Sequence, residues 1–200
     1  PSASAVSVIG DFSSWNEISM NRIDNFYECF VQNAKIGMRY KYRIYGADGR
    51  VLDHCDPYGF GMELRPDSAS IIRDINSFRF HDSKWMKTRS DCKKKPLNIY
   101  ELHLGSWHRK GEGRDDFYNY VEIADKLIPY LKETGYNYIE VLPLAEHPCD
   151  ASWGYQVTGF FAPTSRYGTA EDLMKMVDKL HRNDIGIIIG AVAAYICKIV

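Results

Sequence analysis

Short apolar runs separated by turn signals fill the first part of the chain. The clearest run covers residues 38–45, where apolar and aromatic side chains alternate with mostly basic ones. Such alternation with a period of two is typical of a strand that has one face buried. No segment of helical periodicity interrupts residues 1–84. The pattern therefore predicts an all-β, immunoglobulin-like sandwich over residues 1–84.

The pattern changes after Leu97. Apolar strand-like runs at 98–104, 138–142 and 185–189 alternate with segments at 117–134 and after Thr169 that place apolar residues on one helical face. Thr169 followed by Asp172 is a helix start signal, and Gly135 is a helix stop signal. Strands that alternate with helices in this way predict βαβ units and a parallel sheet covered by helices.

A basic connector joins the two parts. Residues 85–96 contain the run Lys93-Lys94-Lys95, which is compatible with a phosphate-binding patch or with a solvated linker. The linker is favoured because the run is short and the chain carries a formal net charge of only -1. The predicted organisation is thus a β-module over 1–84, a basic linker over 85–96 and an α/β part over 97–200.

Composition and net charge argue against some classes of binding partner. Hydrophobic residues make up 45% and charged residues 26% of the 200 residues, as in ordinary globular proteins. The near-neutral charge argues against nucleic acid or an anionic membrane as partner. The apolar run over 185–197 is too short to span a bilayer. Five scattered cysteines and no visible secretion signal favour a cytoplasmic location.

The loop over residues 143–168 is the main candidate for chemistry. It follows the second predicted strand, and parallel sheets carry their ligands at the carboxyl ends of strands. The loop mixes carboxylates and amides with aromatic rings, which suits a sugar because rings stack on pyranose C–H surfaces while polar groups bind hydroxyls. The alternative is a surface loop whose aromatic residues pack on one another.

Other kinds of site have weaker support. His103, His108 and His147 lie near strand ends, but their spacing matches no metal signature, and single histidines more often form ordinary hydrogen bonds. No phosphate loop and no G-x-S-x-G nucleophile sequence is present. The sequence therefore predicts neither a metal nor a cofactor.

Several segments resemble one enzyme family. In the second part they are residues 100–107 (YELHLGSW), 140–148 (EVLPLAEHP) and 150–169 (DASWGYQVTGFFAPTSRYGT). In the first part they are residues 10–16 (GDFSSWN), 56–59 (DPYG) and 64–70 (LRPDSAS). Together they resemble the glycogen, or 1,4-α-glucan, branching enzymes of the α-amylase superfamily, over nearly the whole chain.

The resemblance implies a carbohydrate-binding-type module followed by the first three strands of a (β/α)8 catalytic barrel. It also implies a retaining transglycosylase that cleaves an α-1,4 chain and transfers it to a 6-hydroxyl as an α-1,6 branch of glycogen. The partner would be an α-glucan such as glycogen or amylose-type chains. By matching position, Tyr155 would stack on the sugar beside the scissile bond, and Trp153, Gln156 and Asp150 would lie in the same pocket.

The positions at which the chain departs from the family limit the catalytic activity that we expect of the chain by itself. The family's nucleophile and general acid follow later barrel strands, so we expect the chain to be inactive by itself. After the third strand the family has Asp-Trp-Val-Pro, one variable residue and His, whereas residues 190–195 read GAVAAY. This loss suggests a truncated or disrupted reading frame. The alternatives are a non-catalytic α-glucan-binding or regulatory protein, in which an aromatic residue such as Trp15 would bind glucan, and a non-functional fragment.

Overall fold

The structure, a computed structural model, describes residues 3–89 and 95–191. Seven strands come first, followed by four α-helices and five further strands among the described residues. The first strands are β1 (Ala3–Gly10), β2 (Ile18–Ser19), β3 (Asn21–Ile23), β4 (Phe26–Glu28), β5 (Arg39–Gly46), β6 (Val51–His54) and β7 (Ser70–Ile71). The later elements are α1 (Ser83–Thr88), β8 (Ile99–Leu102), α2 (Leu104–Trp107), α3 (Tyr120–Thr134), β9 (Tyr138–Val141), β10 (Ala145–Glu146), β11 (Gly159–Pro163), α4 (Ala170–Arg182) and β12 (Gly186–Ile189).

Strands β1 and β5 form the centre of an antiparallel sheet in the first part. The order is β2–β1–β5–β6, and β7 pairs with the beginning of β5. The predicted strand over 38–45 is thus present as β5, shifted by one residue. It ends in a turn in which the Gly46 N–H donates to the Arg50 carbonyl at 2.8 Å and Gly49 takes a φ of 82°, a conformation that glycine adopts without strain. Strands β3 and β4 form a separate two-stranded sheet.

The first part buries few apolar side chains. Val8, Ile9, Met62 and Ala69 are its buried apolar residues among those described. Several large apolar residues elsewhere in the two sheets and their loops are exposed: Ile23, Phe26, Phe30, Ile36, Val51 and Leu52. The mostly-strand composition agrees with the predicted β-module, but the main core of the molecule lies elsewhere.

Strands β8, β9 and β12 form the parallel sheet predicted for the second part. Tyr100 of β8 and Ile187 of β12 both pair with Ile139 of β9, so the central strand is the second in sequence. Helix α3 connects β8 to β9, and α4 precedes β12. The predicted alternation of strands and helices over 98–189 is confirmed.

Local capping explains where the two long helices begin. The Asn119 side chain accepts from the Glu122 N–H at 2.9 Å, and the Glu122 carboxylate accepts from the Asn119 N–H at 2.8 Å. Thr169 and Asp172 make the same reciprocal pair at the start of α4, as the sequence predicts. Helix α3 ends at Gly135, which has a φ of 81°. None of the helices in the described ranges has the length and the apolar character that are needed to cross a bilayer.

In the part of the chain that the structure describes, the hydrophobic core is a single cluster between the parallel sheet and its helices. Tyr120, Leu127 and Leu131 of α3 are fully buried against Ile139 and Val141 of β9 and Met176 and Leu180 of α4. The remaining members are Leu102, Leu104, Ile123, Ala124, Ile128, Leu144, Tyr167 and Ile185. This cluster gives the sheet a rigid frame, and the carboxyl ends of its strands carry the loops described below.

The predicted linker is partly packed rather than fully solvated. Helix α1 covers its beginning, and the Trp85 ring stacks on the His181 ring of α4 with centroids 5.0 Å apart. Asp82, just before α1, lies 2.7 Å from the His181 Nδ1 atom. Residues 90–94, which include Lys93 and Lys94, lie outside the described ranges. The connector is therefore attached to α4 over its described first half.

The first part docks on β11 and on the turn that follows it. The Ser165 hydroxyl donates to the Met62 carbonyl, and the Cys55 thiol donates to the Thr158 carbonyl at 3.6 Å. At Gly159 a Cβ atom would lie only 2.4 Å from the Met62 sulfur, so glycine permits this close approach. These contacts fix the first part beside the long loop of the second part.

We expect Leu127→Ala to lower the free energy of unfolding by about 2–5 kcal/mol, because it leaves a cavity in the core. Leu127 is fully buried, whereas Leu52 on β6 is 47% exposed. The matched control Leu52→Ala should change stability by less than about 0.5 kcal/mol. Urea titrations followed by circular dichroism would measure both variants, and equal losses would contradict the placement of the core.

Candidate functional site

The long loop folds over the carboxyl end of β8. Strands β10 and β11 pair as an antiparallel ribbon, and the intervening residues 147–158 form the loop tip. The Trp153 ring stacks on the ring of His103, which directly follows β8, with centroids 5.7 Å apart and planes inclined by 22°. The loop therefore lies at the edge of the sheet where parallel α/β folds bind their ligands.

The loop tip is held in an unusual backbone conformation. A turn of 3-10 helix over Asp150–Ser152 ends at Trp153, which has a φ of 52°. Gly154 follows with a φ of 84°, and a Cβ atom there would lie 2.3 Å from the Pro143 carbonyl oxygen. Two successive left-handed residues turn the chain sharply, and only glycine fits the second position. This turn presents Trp153 and Tyr155 at the surface.

Three of the four predicted sugar-binding residues are exposed on this tip. Trp153 is 53% exposed, Tyr155 is 37% exposed and Gln156 is also exposed. Among residues 3–89 and 95–191, no hydrogen-bond partner is found for the Trp153 indole N–H, the Tyr155 hydroxyl or the Gln156 side-chain amide. Flat apolar faces and unengaged polar ends are thus available together, a combination that suits a carbohydrate.

Asp150, the fourth predicted residue, is engaged by three arginines. Its Oδ1 atom accepts from Arg166 at 2.7 and 2.8 Å, and its Oδ2 atom accepts from Arg65 at 2.7 Å and from Arg114 at 3.1 Å. Burial alone would raise the pKa of Asp150, but the hydrogen bonds from the three guanidinium groups outweigh it and hold the pKa far below its ordinary value. Asp150 is therefore ionised at neutral pH.

Glu146 lies below the loop in a fully bonded position. Its side chain is 3% exposed and forms an ion pair at 2.8 Å with Arg166, whose side chain is 2% exposed. The same carboxylate accepts from the Thr164 hydroxyl at 3.0 Å and from the Ser165 N–H at 2.7 Å. Arg166 thus bridges Glu146 and Asp150, and it ties both ends of the loop together.

The histidines are placed for packing and hydrogen bonding. Burial lowers the pKa of His147 to about 4, although a hydrogen bond to the Ala145 carbonyl acts in the opposite direction. Burial, assisted by the Arg166 charge, also lowers the pKa of His103. His108 stacks on Tyr118 with centroids 5.7 Å apart. In the part of the chain that the structure describes, no three His, Cys, Asp or Glu side chains are grouped to hold a metal ion.

Sequence reasoning missed three residues of this site. Arg65 and Arg114 engage Asp150 from 85 and 36 residues away, and His103 supports Trp153 from across the loop. Arg65 lies in a segment that carries the family resemblance, but no local pattern assigns it a partner. The sequence predictions over residues 192–195 lie outside the described ranges, and Gly190 and Ala191 are the last described residues after β12.

Two family models match the chain, one in each part. Residues 1–59 match carbohydrate-binding module 48, the isoamylase N-terminal domain, and residues 119–198 match the catalytic domain of alpha amylase. The crystal structure of a Salmonella typhimurium protein described as an alpha amylase superposes on 94% of this chain with a TM-score of 0.71 and 22% sequence identity. The chain covers 29% of that protein, and the likeness concerns the fold.

Curated relatives match the chain almost from end to end. The 1,4-alpha-glucan branching enzyme of Synechocystis sp. is 44% identical over 99% of this chain and 29% of its own length. The enzyme of the same name from Gloeobacter violaceus is 45% identical over 99% of this chain and 28% of its own. That from Butyrivibrio fibrisolvens is 43% identical over 98% and 32%. The chain therefore spans about a third or less of each of these relatives.

These matches, together with the fold, define a class. The chain combines a module of the carbohydrate-binding type with part of an alpha-amylase catalytic domain. Within that class it is, over nearly all of its length, a relative of the 1,4-alpha-glucan branching enzymes.

We expect Asp150→Asn to lower the free energy of unfolding by about 2–3 kcal/mol at pH 7. Loss of the charge leaves Arg65 and Arg166 with a buried, poorly compensated positive charge, and the effect is moderated because 34% of the Asp150 side chain is exposed. Since the folded-state pKa of Asp150 is lowered, its contribution is complete above the unfolded pKa of about 3.9 and is lost as the pH falls further. Urea titrations at pH 7 and at pH 3 would measure the difference.

Asp115→Asn is the matched control, because Asp115 pairs with Arg65 alone among the described residues and its side chain is 56% exposed. It should cost no more than about 1 kcal/mol. A loss for Asp150→Asn that is no larger than this, or that is no smaller at pH 3 than at pH 7, would contradict the structural role of the ion cluster.

Proposed function

We propose that this chain is the module and first catalytic-domain segment of an α-glucan branching enzyme, and that its long loop binds the α-glucan. The observation that carries the proposal is the exposure of Trp153, Tyr155 and Gln156 on a rigid turn at the carboxyl end of a parallel sheet. The identity to branching enzymes over 99% of the chain favours the same substrate class. The proposed partner is a glycogen- or amylose-type α-1,4 chain.

The proposed architecture follows the sequence prediction in detail. Residues 1–84 are an immunoglobulin-like carbohydrate-binding-type module, residues 85–96 are the connector, and residues 97–200 begin a (β/α)8 barrel. The order β8–β9–β12 with helices between the strands supports the assignment to the first three barrel strands. The contact between α1 and α4 supports a connector whose beginning packs against the second part.

The proposed sugar contacts use each side chain for a separate purpose. Tyr155 and Trp153 stack on the C–H faces of neighbouring glucose rings, and the Gln156 amide binds their hydroxyl groups. Asp150 holds the turn that presents them, since both of its oxygens already accept from arginines. The ring of His103 supports the far side of Trp153 and limits its rotation.

A retaining glucan transfer requires two carboxyl groups in defined states. One attacks the anomeric carbon as a carboxylate, and the other protonates the departing glycosidic oxygen and then takes the proton from the accepting 6-hydroxyl. The carboxylates of this loop are unsuited to act as the nucleophile or as the acid, because Glu146 and Asp150 are both bound in ion pairs with Arg166. The long loop therefore binds and orients glucan, and its own carboxylates do not supply the chemistry.

A second candidate function is glucan binding by the first part alone. Trp15 is 38% exposed and lines a cavity of about 320 Å³ together with Arg39, Lys41 and Glu63. The Trp15 indole N–H donates to Asp11 at 3.0 Å, so the ring is fixed in position. An exposed, fixed aromatic ring beside polar groups favours a sugar contact here as well.

We expect the purified chain of 200 residues to leave the absorbance of the amylose–iodine complex unchanged over many hours. The reason is that neither carboxylate of the long loop is free to act as nucleophile or acid. Iodine absorbance measured beside a full-length branching enzyme as positive control would test this. A steady fall in absorbance would show that the chain itself carries the catalytic groups.

We expect Tyr155→Ala to weaken the binding of maltoheptaose by about tenfold, which corresponds to the loss of one aromatic contact of about 1.4 kcal/mol. Isothermal titration calorimetry would measure the dissociation constant. Tyr45→Ala is the matched control, because Tyr45 lies on β5 and hydrogen-bonds to Glu17. If Trp15→Ala abolishes binding while Tyr155→Ala has no effect, the second candidate function replaces the first.

A further inference from the structure

One positively charged side chain of the first part, that of Arg65, is buried against the second part. The Arg65 side chain is 4% exposed, and its guanidinium group contacts Asp150 at 2.7 Å and Asp115 at 2.8 Å. Both carboxylates belong to segments that pack around the parallel sheet, whereas Arg65 precedes β7 of the first sheet. Burial of a guanidinium group is costly unless it is paired, so the partners of Arg65 are fixed by its location.

Arg65 completes a balanced cluster of charges. Three arginines (Arg65, Arg114 and Arg166) meet three carboxylates (Asp115, Glu146 and Asp150). Arg114 is 68% exposed, so its pair with Asp150 is weak. Arg65 and Arg166 are thus the two strong partners of Asp150. Arg166 donates to Oδ1, whereas Arg65 donates to Oδ2 and its Nε atom also lies 2.6 Å from Oδ1.

The position of Asp150 determines the position of Trp153. Asp150 is the first residue of the 3-10 turn, and its carbonyl accepts from the Trp153 N–H at 3.1 Å. Trp153 has a positive φ, a conformation that persists in a non-glycine residue only where the surroundings impose it. A shift of the Asp150 side chain therefore moves the turn and the exposed ring three residues later.

We propose that Arg65 is a positioning residue for the sugar-binding loop, through which the first part determines the conformation of Trp153 and Tyr155. The first part is then a structural component of the substrate site in addition to any binding of its own. This inference rests on the proposed function in so far as the loop binds α-glucan. The position of the loop can, however, be measured without any ligand.

The experiment uses the chain of 200 residues labelled with fluorotryptophan, which gives one fluorine NMR line for each of its four tryptophans. Trp153→Phe assigns the Trp153 line. We expect Arg65→Met to shift or broaden that line and to weaken maltoheptaose binding about tenfold, because the turn is no longer preorganised. Arg65→Lys should give a smaller change, since lysine keeps the charge but binds only as a point charge.

Arg43→Met is the matched control. Arg43 lies on β5 of the same sheet and also pairs with two carboxylates, Asp53 at 2.8 Å and Glu17 at 3.1 Å. It should leave both the Trp153 line and the affinity unchanged. A change equal to that of Arg65→Met would attribute the effect to general destabilisation and would overturn the proposal.

The outcomes separate this inference from the proposed function. An unchanged Trp153 line in a folded Arg65→Met variant overturns the positioning role. If the wild-type chain does not bind maltoheptaose but the line shifts in Arg65→Met, the glucan-binding function fails and the positioning role stands. If Arg65→Met does not fold, the Trp153 line of Arg65→Lys decides in the same way.

Discussion

The buried guanidinium group of Arg166 is the constraint on which the rest of the site depends. Burying a guanidinium group that is 2% exposed is costly unless the group is paired. Glu146 and Asp150, near the beginning of the loop, pair with Arg166 near its end. Because Glu146 also binds the Ser165 N–H and the Thr164 hydroxyl, the two strands of the β10–β11 ribbon are held together at their base. The exposed aromatic residues stand on a support that is fixed by charge rather than by apolar packing.

The hydrophobic core and the charged cluster stabilise different features of the structure. The core lies between the parallel sheet and helices α3 and α4, and it keeps the three strand ends at fixed distances. The cluster lies beyond those ends and determines how the loop leaves and rejoins the sheet. This division allows Trp153, Tyr155 and Gln156 to remain exposed without cost to the core. It also explains how a tryptophan can keep a left-handed backbone.

The first part is joined to this arrangement by both apolar and polar contacts. Met62 packs against Gly159, Ser165 donates to the Met62 carbonyl, and Arg65 enters the charged cluster. Its own sheets bury few apolar side chains, so these contacts matter to its orientation. The two parts of the chain thus share one group of buried charges.

The sequence alone determined the features that depend on neighbouring residues. The strand period of β5, the capping pair of Thr169 and Asp172 and the stop at Gly135 are local, so they predict the elements and their order. The exposed tip with Trp153 and Tyr155 could be predicted from a family resemblance over residues 150–169. The folded structure was needed to show that Asp150 is an ion-pair partner of Arg65, that His103 supports Trp153 and that the connector packs on α4. These contacts join residues 50 or more positions apart, and a charged side chain carries no local signal of which distant charge it will meet. Burial selects the partner, and burial exists only once the two parts have packed together.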